Sequence, residues 1–580
     1  MGETEHDDGL TTLKVINFVD ERCRHGLELV KTPETIESTG IMTSDPLPLE
    51  KKSARKSPSA QAGQDVLRDL RTNEVFVAIV GPAGAGSGTA AKILKTFLEE
   101  LEFEVVIIKA SALIRTAAES IGRPLPPIGD RKSLDNVRTM QDRGDELRKG
   151  EMYGLPEDHS AIARLALKAI AEQRAGFQGL SFQGDPVEPD GKNRAYLIDS
   201  LRHPAEVSLL REVYQDAFTL LGIVCDPLKR ERRIRENLFD RSQWGDPEVK
   251  KRVKDFLSRD EDAPEKNGQH VSDTFHEADF FVDNSQDAGE NLAFTGMNDQ
   301  LRRFVNLVTQ SKVVRPSIAE TAMHHARSAQ MRSACLSRQV GAALVDAHGN
   351  IVATGTNDTP KAGGGLYGES FAIQVEGDER CAFRDSVYCS SNLEQNKIIE
   401  ELIDEFPELI TGKEKSDIVK KIRGTRIGGL IEFSRAVHAE MDAILSASIS
   451  GTSPRACRMY VTTYPCHYCA RHLVASGVDE VQFIEPYPKS KATDLHNDSI
   501  TTESDGWVPP SQGGSHVLFR PFVGVAPRLY RRVFLKDRSY KDKVTGEFSF
   551  GEPQWGRPTE TYKVAYSSME AKLALEFNNA

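Results

Sequence analysis

Short apolar runs alternate with segments of helical spacing through the first half of the chain. Residues 75–80 (VFVAIV) read as a buried strand, 81–89 as a glycine-rich loop and 90–101 as a helix. Further strands are predicted at 103–109, 196–199 (YLID, ending on an acid), 219–225 and 278–282. Helical spacing falls between them at 160–172, 205–213 and 228–238, the last very basic. Strands alternating with helices imply βαβ units and a parallel sheet, so 71–290 is expected to be a doubly wound domain.

A helix at 292–309 is expected to link this domain to a second one, placing a linker at 291–314. The second pattern opens with a helix at 318–331. Two short strands follow, 341–346 and 351–355, with Asp-Ala-His-Gly-Asn between them as a hairpin turn. Residues 360–432 form a long polar insertion, partly helical near 394–422. Helix 437–448, strand 458–462, helix 466–476 and strand 481–484 complete a domain assigned to 315–540. Residues 1–70 read as an irregular arm, and 541–580 as a carboxy-terminal extension.

Composition narrows the classes. At roughly 100–200 residues per domain, 580 residues hold two to four. The net charge of -12 argues against a coat for duplex nucleic acid, which needs a basic footprint. No apolar run reaches the ~20 residues of a membrane span, and the acidic start MGETEHDD lacks a secretory h-region, so a cytoplasmic protein is expected. Eight scattered cysteines do not form a disulfide framework in such a chain.

The close pair Cys466/Cys469 asks for a metal. Pro465-Cys466-His467-Tyr468-Cys469 opens one predicted helix, and His438-Ala439-Glu440 lies in the first turn of another. One imidazole and two thiolates favour zinc, and three protein ligands leave a fourth position for water, as in catalytic sites. Zinc acidifies such a water toward neutrality. Glu440, two residues from the His ligand, is placed to take the water's proton and pass it to departing ammonia. The competing reading is a structural zinc knuckle closed by Cys457, His467 or His472. The joint pattern H-x-E with P-C-x-x-C is the zinc nucleobase deaminase arrangement.

Residues 315–534 resemble the cytidine and deoxycytidylate deaminase superfamily, which implies a three-layer α/β/α domain. Ser333-Ala-Cys-Leu-Ser-Arg-Gln-Val-Gly-Ala342 resembles the S-x-x-x-x-R-x-V-G-A entry of deoxycytidylate deaminases, and Ala353-Thr-Gly-Thr-Asn357 their A-x-G-x-N element. By resemblance Arg338 is the phosphate candidate and Asn357 contacts the sugar; a salt bridge and a turn residue are the competing readings. Ala439, Tyr487 and Lys489 are the further substrate-facing positions, the last two in a segment that resembles the nucleotide-pocket wall. Cys381 and Cys389 sit in the insertion; free thiols are expected there, against a second zinc that some relatives hold.

Gly81-Pro-Ala-Gly-Ala-Gly-Ser-Gly-Thr89 follows a strand and opens a helix, the context in which backbone N–H groups cradle phosphates. Aligned as G-x-x-x-x-G-K-[ST], the lysine position is Ser87 and the hydroxyl position Gly88, with Thr89 one residue further on. Phosphate binding is therefore expected of Gly81, Gly84, Gly86, Ser87, Gly88 and Thr89, with Asp199 as a Walker B-like acid, and phosphoryl transfer is in doubt. Asp199–Glu206 resembles nucleoside monophosphate and dephospho-coenzyme A kinases, and 229–235 their lid; a fold that binds nothing and an active kinase are the alternatives to regulatory nucleotide binding, with or without Mg2+.

A P-loop kinase-like domain ahead of a deoxycytidylate-type deaminase resembles the bacterial anti-phage deoxycytidylate deaminases. That resemblance implies conversion of dCTP and dCMP to dUTP and dUMP, a homo-oligomer and restraint by an inhibitory RNA or nucleotide; the ligand set predicts one zinc per chain. A housekeeping dCMP deaminase and an RNA- or DNA-editing deaminase are the rivals.

Overall fold

The computed structural model describes residues 72–125, 133–263, 265–285, 296–368, 378–384, 388–412, 414–487, 489–535, 541–548 and 563–574. All fall within one compact unit, Ala54–Ala580. The arm expected at 1–70 lies outside the described residues.

Two six-stranded sheets organise the chain. The first has the order β12-β5-β4-β1-β3-β2. Its strands are β1 (Glu74–Val80), β2 (Glu104–Lys109), β3 (Arg194–Asp199), β4 (Phe218–Val224) and β5 (Phe280–Asp283), all mutually parallel, plus the short β12 (Gly524–Val525). Strand β1 is buried along its whole length, as expected of a parallel strand covered on both faces. Phe76, Ala78 and Val80 enter one core, and Val75, Val77 and Ile79 enter the other, because successive side chains alternate across the sheet. Helix α1 (Ser87–Glu99) lines the second core and α2 (Ala161–Phe177) the first.

The second sheet runs β10-β11-β9-β8-β6-β7. Hairpin β6 (Gly341–Val345) and β7 (Ile351–Thr356) is antiparallel, and β6 also pairs antiparallel with β8 (Arg458–Thr463). Strands β9 (Glu480–Glu485), β11 (Val517–Pro521) and β10 (Ile500–Thr501) continue parallel to β8.

Three segments depart from the expected roles. Helix α3 (Met297–Val308), expected as a linker, buries Leu301, Phe304 and Leu307 in the second core of the first sheet. Helix α4 (Ile318–Gln330) then opens the second sheet's layer. Its Glu320, 1% exposed, accepts from Arg303 at 2.6 and 2.7 Å, from the Ser317 N–H at 2.7 Å and from the Val525 N–H at 2.8 Å. Strand β12, only three residues beyond β11, pairs antiparallel with β5, so a hydrogen-bonded ladder ties the two sheets together. The third departure is α8 (Lys563–Ala574) in the expected carboxy-terminal extension, which packs on α2. Its Glu570 meets the fully buried Arg174 at 2.5 Å, and Glu74 holds the other side of the guanidinium at 2.7 Å. The Tyr214 hydroxyl donates to Glu570 at 2.5 Å and the Tyr566 hydroxyl to Glu74 at 3.0 Å. A contact between residues 396 apart leaves no local trace in the sequence.

The insertion carries helices α5 (Ser390–Glu405) and Lys415–Arg423, in line with the helical stretch read near 394–422. Among the described residues, no helix is long and apolar enough to cross a membrane.

Candidate active site

Helix α6 (Ala439–Ile449) packs against β7, and α7 (His467–Ala475) follows β8. The first begins two residues later than expected and the second one residue later, because His438 and Cys466 are N-cap residues in extended conformation. That position aims both side chains across the gap between the two helix starts. His438 Nδ1 lies 3.3 Å from Cys466 Sγ and 3.4 Å from Cys469 Sγ. Zinc–sulfur bonds of about 2.3 Å and a zinc–nitrogen bond of about 2.1 Å span a tetrahedral edge of roughly 3.6 Å, so these three donors fit zinc with small adjustment. Among the described residues this is the one group able to hold a metal; Cys457, His467 and His472, the knuckle candidates, do not join it.

Charge at the cluster is tightly shared. Donation from the Cys469 thiol, then from His438, pulls Cys466 down to about 4, while Cys469 itself, giving that hydrogen bond and buried, is pushed well up. The bond to Cys466 raises His438. Burial, then the Cys466 charge, raises Glu440 to about 7. A divalent cation at these donors would favour both thiolates. Glu440, 4% exposed, is a carboxyl poised near neutrality, the range that suits a group which both takes and gives a proton.

Two features hold α6 against the sheet. Asp442 accepts from the Thr356 N–H at 2.9 Å. Gly355 faces the backbone of α6 so closely that a Cβ there would lie 2.0 Å from the Ala439 carbonyl oxygen, which explains the glycine of the A-x-G-x-N element. Asp442 escaped the sequence reading, although its place two residues beyond Glu440 on one helix was the available signal.

A cavity of about 350 Å³ opens over the cluster. His438, Glu440 and Cys466 line it, as do Arg338, Asn357, Tyr487 and Lys489 from the expected substrate set. Ala439 does not line it; its side chain is fully buried in the core beneath β6 and β8. Asn357 accepts from the Val340 N–H at 2.6 Å and donates to the Arg338 carbonyl at 2.7 Å, so it shapes the loop that carries Arg338. The Arg338 guanidinium pairs with Glu485 at 3.1 Å and lies 5.7 Å from the Tyr487 ring centroid. The insertion closes the far side, where Cys381 and Cys389 are unpaired thiols lining the same cavity.

The glycine-rich loop lies far from this cluster along the chain and is built on the other sheet. Gly86 has φ 98 at the cap of α1, and a Cβ there would lie 2.4 Å from Asn284 Nδ2, so only glycine fits. Helix α1 starts at Ser87 and carries Gly88 and Thr89 in its first turn. Asp199 ends the neighbouring β3 with Ser200 Oγ donating to it at 2.8 Å, and a Cβ on Gly88 would stand 3.4 Å from its Oδ2. The structure thus brings Asp199 to the helix start. Part of the cradle is taken by the chain itself: the fully buried Asp260 accepts from the Ala83 N–H at 2.7 Å, and Arg202 pairs with that carboxylate. Lys92, the nearest lysine after the loop, is exposed on α1.

Residues 316–485 match the family model described as the cytidine and deoxycytidylate deaminase zinc-binding region. The deoxycytidylate deaminase of Enterobacteria phage T2 is 28% identical over 173 residues, 30% of this chain and 82% of the relative. That of phage T4 is 28% identical over 177 residues, 30% of this chain and 80% of the relative. Among solved structures, the dCMP deaminase from cyanophage S-TIM5 in complex with dCMP and dUMP is similar over 32% of this chain and 93% of its own, at 20% identity and a TM-score of 0.19. Shikimate kinase from Acinetobacter baumannii is similar over 43% of this chain and 99% of its own, at 12% identity and a TM-score of 0.22.

Proposed function

We propose that this chain, which carries a cytidine/deoxycytidylate deaminase family domain at residues 316–485, hydrolyses deoxycytidine nucleotides, turning dCTP and dCMP into dUTP and dUMP with release of ammonia. The observation that carries the reading is the grouping of His438, Cys466 and Cys469 beside the buried carboxyl of Glu440 on one cavity. Zinc held by those three side chains would supply the Lewis acid that makes water a nucleophile at neutral pH. Glu440 takes one proton from the attacking water and gives it to N3 of the cytosine ring as the C4–O bond forms, then takes the second from the added hydroxyl and gives it to the amine, so that the C4–N bond breaks and ammonia leaves. Asp442 and Gly355 hold the helix that carries Glu440 in register. Asn357 fixes the Arg338 loop, and Tyr487 and Lys489 wall the nucleotide.

The first sheet serves regulation in this reading. Its loop has Ser87 where a phosphoryl-transfer enzyme has lysine, and Asp260 already occupies one loop N–H. A nucleotide phosphate, with or without Mg2+ at Asp199, bound by Gly81, Gly84, Gly86, Ser87, Gly88 and Thr89 would act on deamination through the β5–β12 ladder. The biological role that follows is depletion of the dC nucleotide pool during phage infection.

Turnover of dCMP, dCTP, cytidine and a single-stranded oligonucleotide by the zinc-loaded full chain tests the assignment. Release of ammonia from dCMP or dCTP in preference to the other two is expected. Deamination of the oligonucleotide alone would overturn it.

A further inference from the structure

Asp358, next to Asn357, is a buried carboxylate on the cavity wall for which the reaction above has no use. Three parts of the site meet at it. Its Oδ2 accepts from the Ala334 N–H at 3.0 Å, at the start of the loop that carries Arg338. On the same loop the Ser333 hydroxyl donates to the Asn357 carbonyl at 2.7 Å. On the other side the Asp358 N–H donates to the Val437 carbonyl at 3.2 Å, and the Val437 N–H to the Asp358 carbonyl at 2.9 Å. That antiparallel bridge lies one residue from both Asn357 and His438. A carboxylate buried in such a place needs a counter-charge as well as N–H donors.

The counter-charge comes from the insertion. Arg380 Nη1 lies 3.5 Å from Asp358 Oδ2, with the two side chains 15% and 5% exposed. Among the described residues no other cation pairs with Asp358. The turn around Arg380 aims it. Asp378 accepts from the Arg380 N–H at 3.0 Å and from its Nη2 at 2.5 Å, and the guanidinium lies 4.6 Å from the Phe383 ring centroid. A second contact reaches the same turn from the zinc side: Arg435, three residues before His438, donates to the Glu379 carbonyl at 3.0 Å. Arg380 does not line the cavity, so its route to the site runs through Asp358.

Resting on the deaminase reading above, we infer that Arg380 is a positioning residue of the reaction: paired with Asp358, it locks the insertion onto the site and holds the Ala334 loop, Asn357 and the backbone entering His438 in one arrangement. Loss of Arg380 leaves the buried Asp358 carboxylate without its counter-charge. The carboxylate then relaxes toward water at the expense of the bonds to Ala334 and Val437. A pair that merely anchored the insertion would loosen residues 378–384 alone.

Hydrogen–deuterium exchange and dCMP turnover of the zinc-loaded full chain test this. In Arg380→Gln the Ala334 and Val437 amides, both bonded to Asp358, are expected to exchange about ten-fold faster than in the parent. The kcat/KM for ammonia release from dCMP is expected to fall about ten-fold, with parental zinc content. Asp358→Asn removes the charge that Arg380 meets, so the double variant Arg380→Gln/Asp358→Asn is expected to lose no more than Asp358→Asn alone. Phe383→Ala removes the exposed ring beside the guanidinium. It is expected to speed the same two amides by a smaller factor, and it decides the matter if Arg380→Gln fails to fold. Faster exchange confined to 378–384, or losses that add in the double variant, would overturn the inference. So would parental kcat/KM in Arg380→Gln. A parent that releases ammonia from no cytosine nucleotide sinks the deaminase reading, and exchange at Ala334 and Val437 then judges the role of Arg380 by itself.

Discussion

Gly355→Ala puts one methyl group where strand β7 meets the helix that carries Glu440. The added Cβ would stand 2.0 Å from the Ala439 carbonyl oxygen and 2.4 Å from the Ala443 nitrogen, and both are backbone atoms that cannot rotate away. Bringing the nearer contact out to 3.0 Å, the shortest that real Cβ atoms show, moves strand and helix apart by about 1 Å. Overpacking of this kind costs about 1–3 kcal/mol, which lowers the melting temperature by roughly 2–4 °C per kcal/mol. The functional cost is larger. His438 caps helix α6, so the shift moves His438 and Glu440 relative to Cys466 and Cys469, and a 1 Å misplacement is worth ~100-fold in rate. Ammonia release from dCMP, zinc content and thermal melting are measured together, with Gly245→Ala as control because a methyl there meets nothing within 4 Å. A Gly355→Ala protein with parental turnover and melting would refute the packing argument.

Other substitutions separate chemistry from scaffold. Glu440→Gln keeps the shape of the side chain but cannot take the water's proton, so ammonia release falls by about 100-fold or more while metal analysis still finds zinc. Metal analysis of the parent finds about one zinc per chain; two would assign Cys381 and Cys389 a second site. Glu570→Ala removes one of the two carboxylates around the buried Arg174 and costs about 3–5 kcal/mol, read as a lower urea midpoint; an unchanged midpoint would mean that α8 adds nothing to the first domain. Ser87→Ala alters the response of deamination to added nucleoside triphosphates, and a response identical to the parent's would make the loop a relic.

Legibility followed the range of the interactions. Strand β1 was readable because both its faces are buried and the run is continuously apolar. The grouping of His438, Cys466 and Cys469 was readable because metal chemistry needs a fixed spacing, and the helix starts behind it were missed by two residues at Ala439 and one at His467. The partnership of Arg338 with Glu485 was not readable, since 147 residues and three strands separate them. Helix α3 looked like a linker from its position between two patterns, although Leu301, Phe304 and Leu307 made it a core helix. Strand β12 is two residues long, too short for any period, and the helix around Glu570 has its meaning only opposite Arg174.

The most direct measurement of the central claim is turnover of dCMP by the purified zinc-loaded chain in oxygen-18 water. Hydrolytic deamination at C4 predicts dUMP carrying a single labelled oxygen on the base and one ammonia for each product molecule. Product without label, or no product from dCMP or dCTP at parental zinc content, would contradict it.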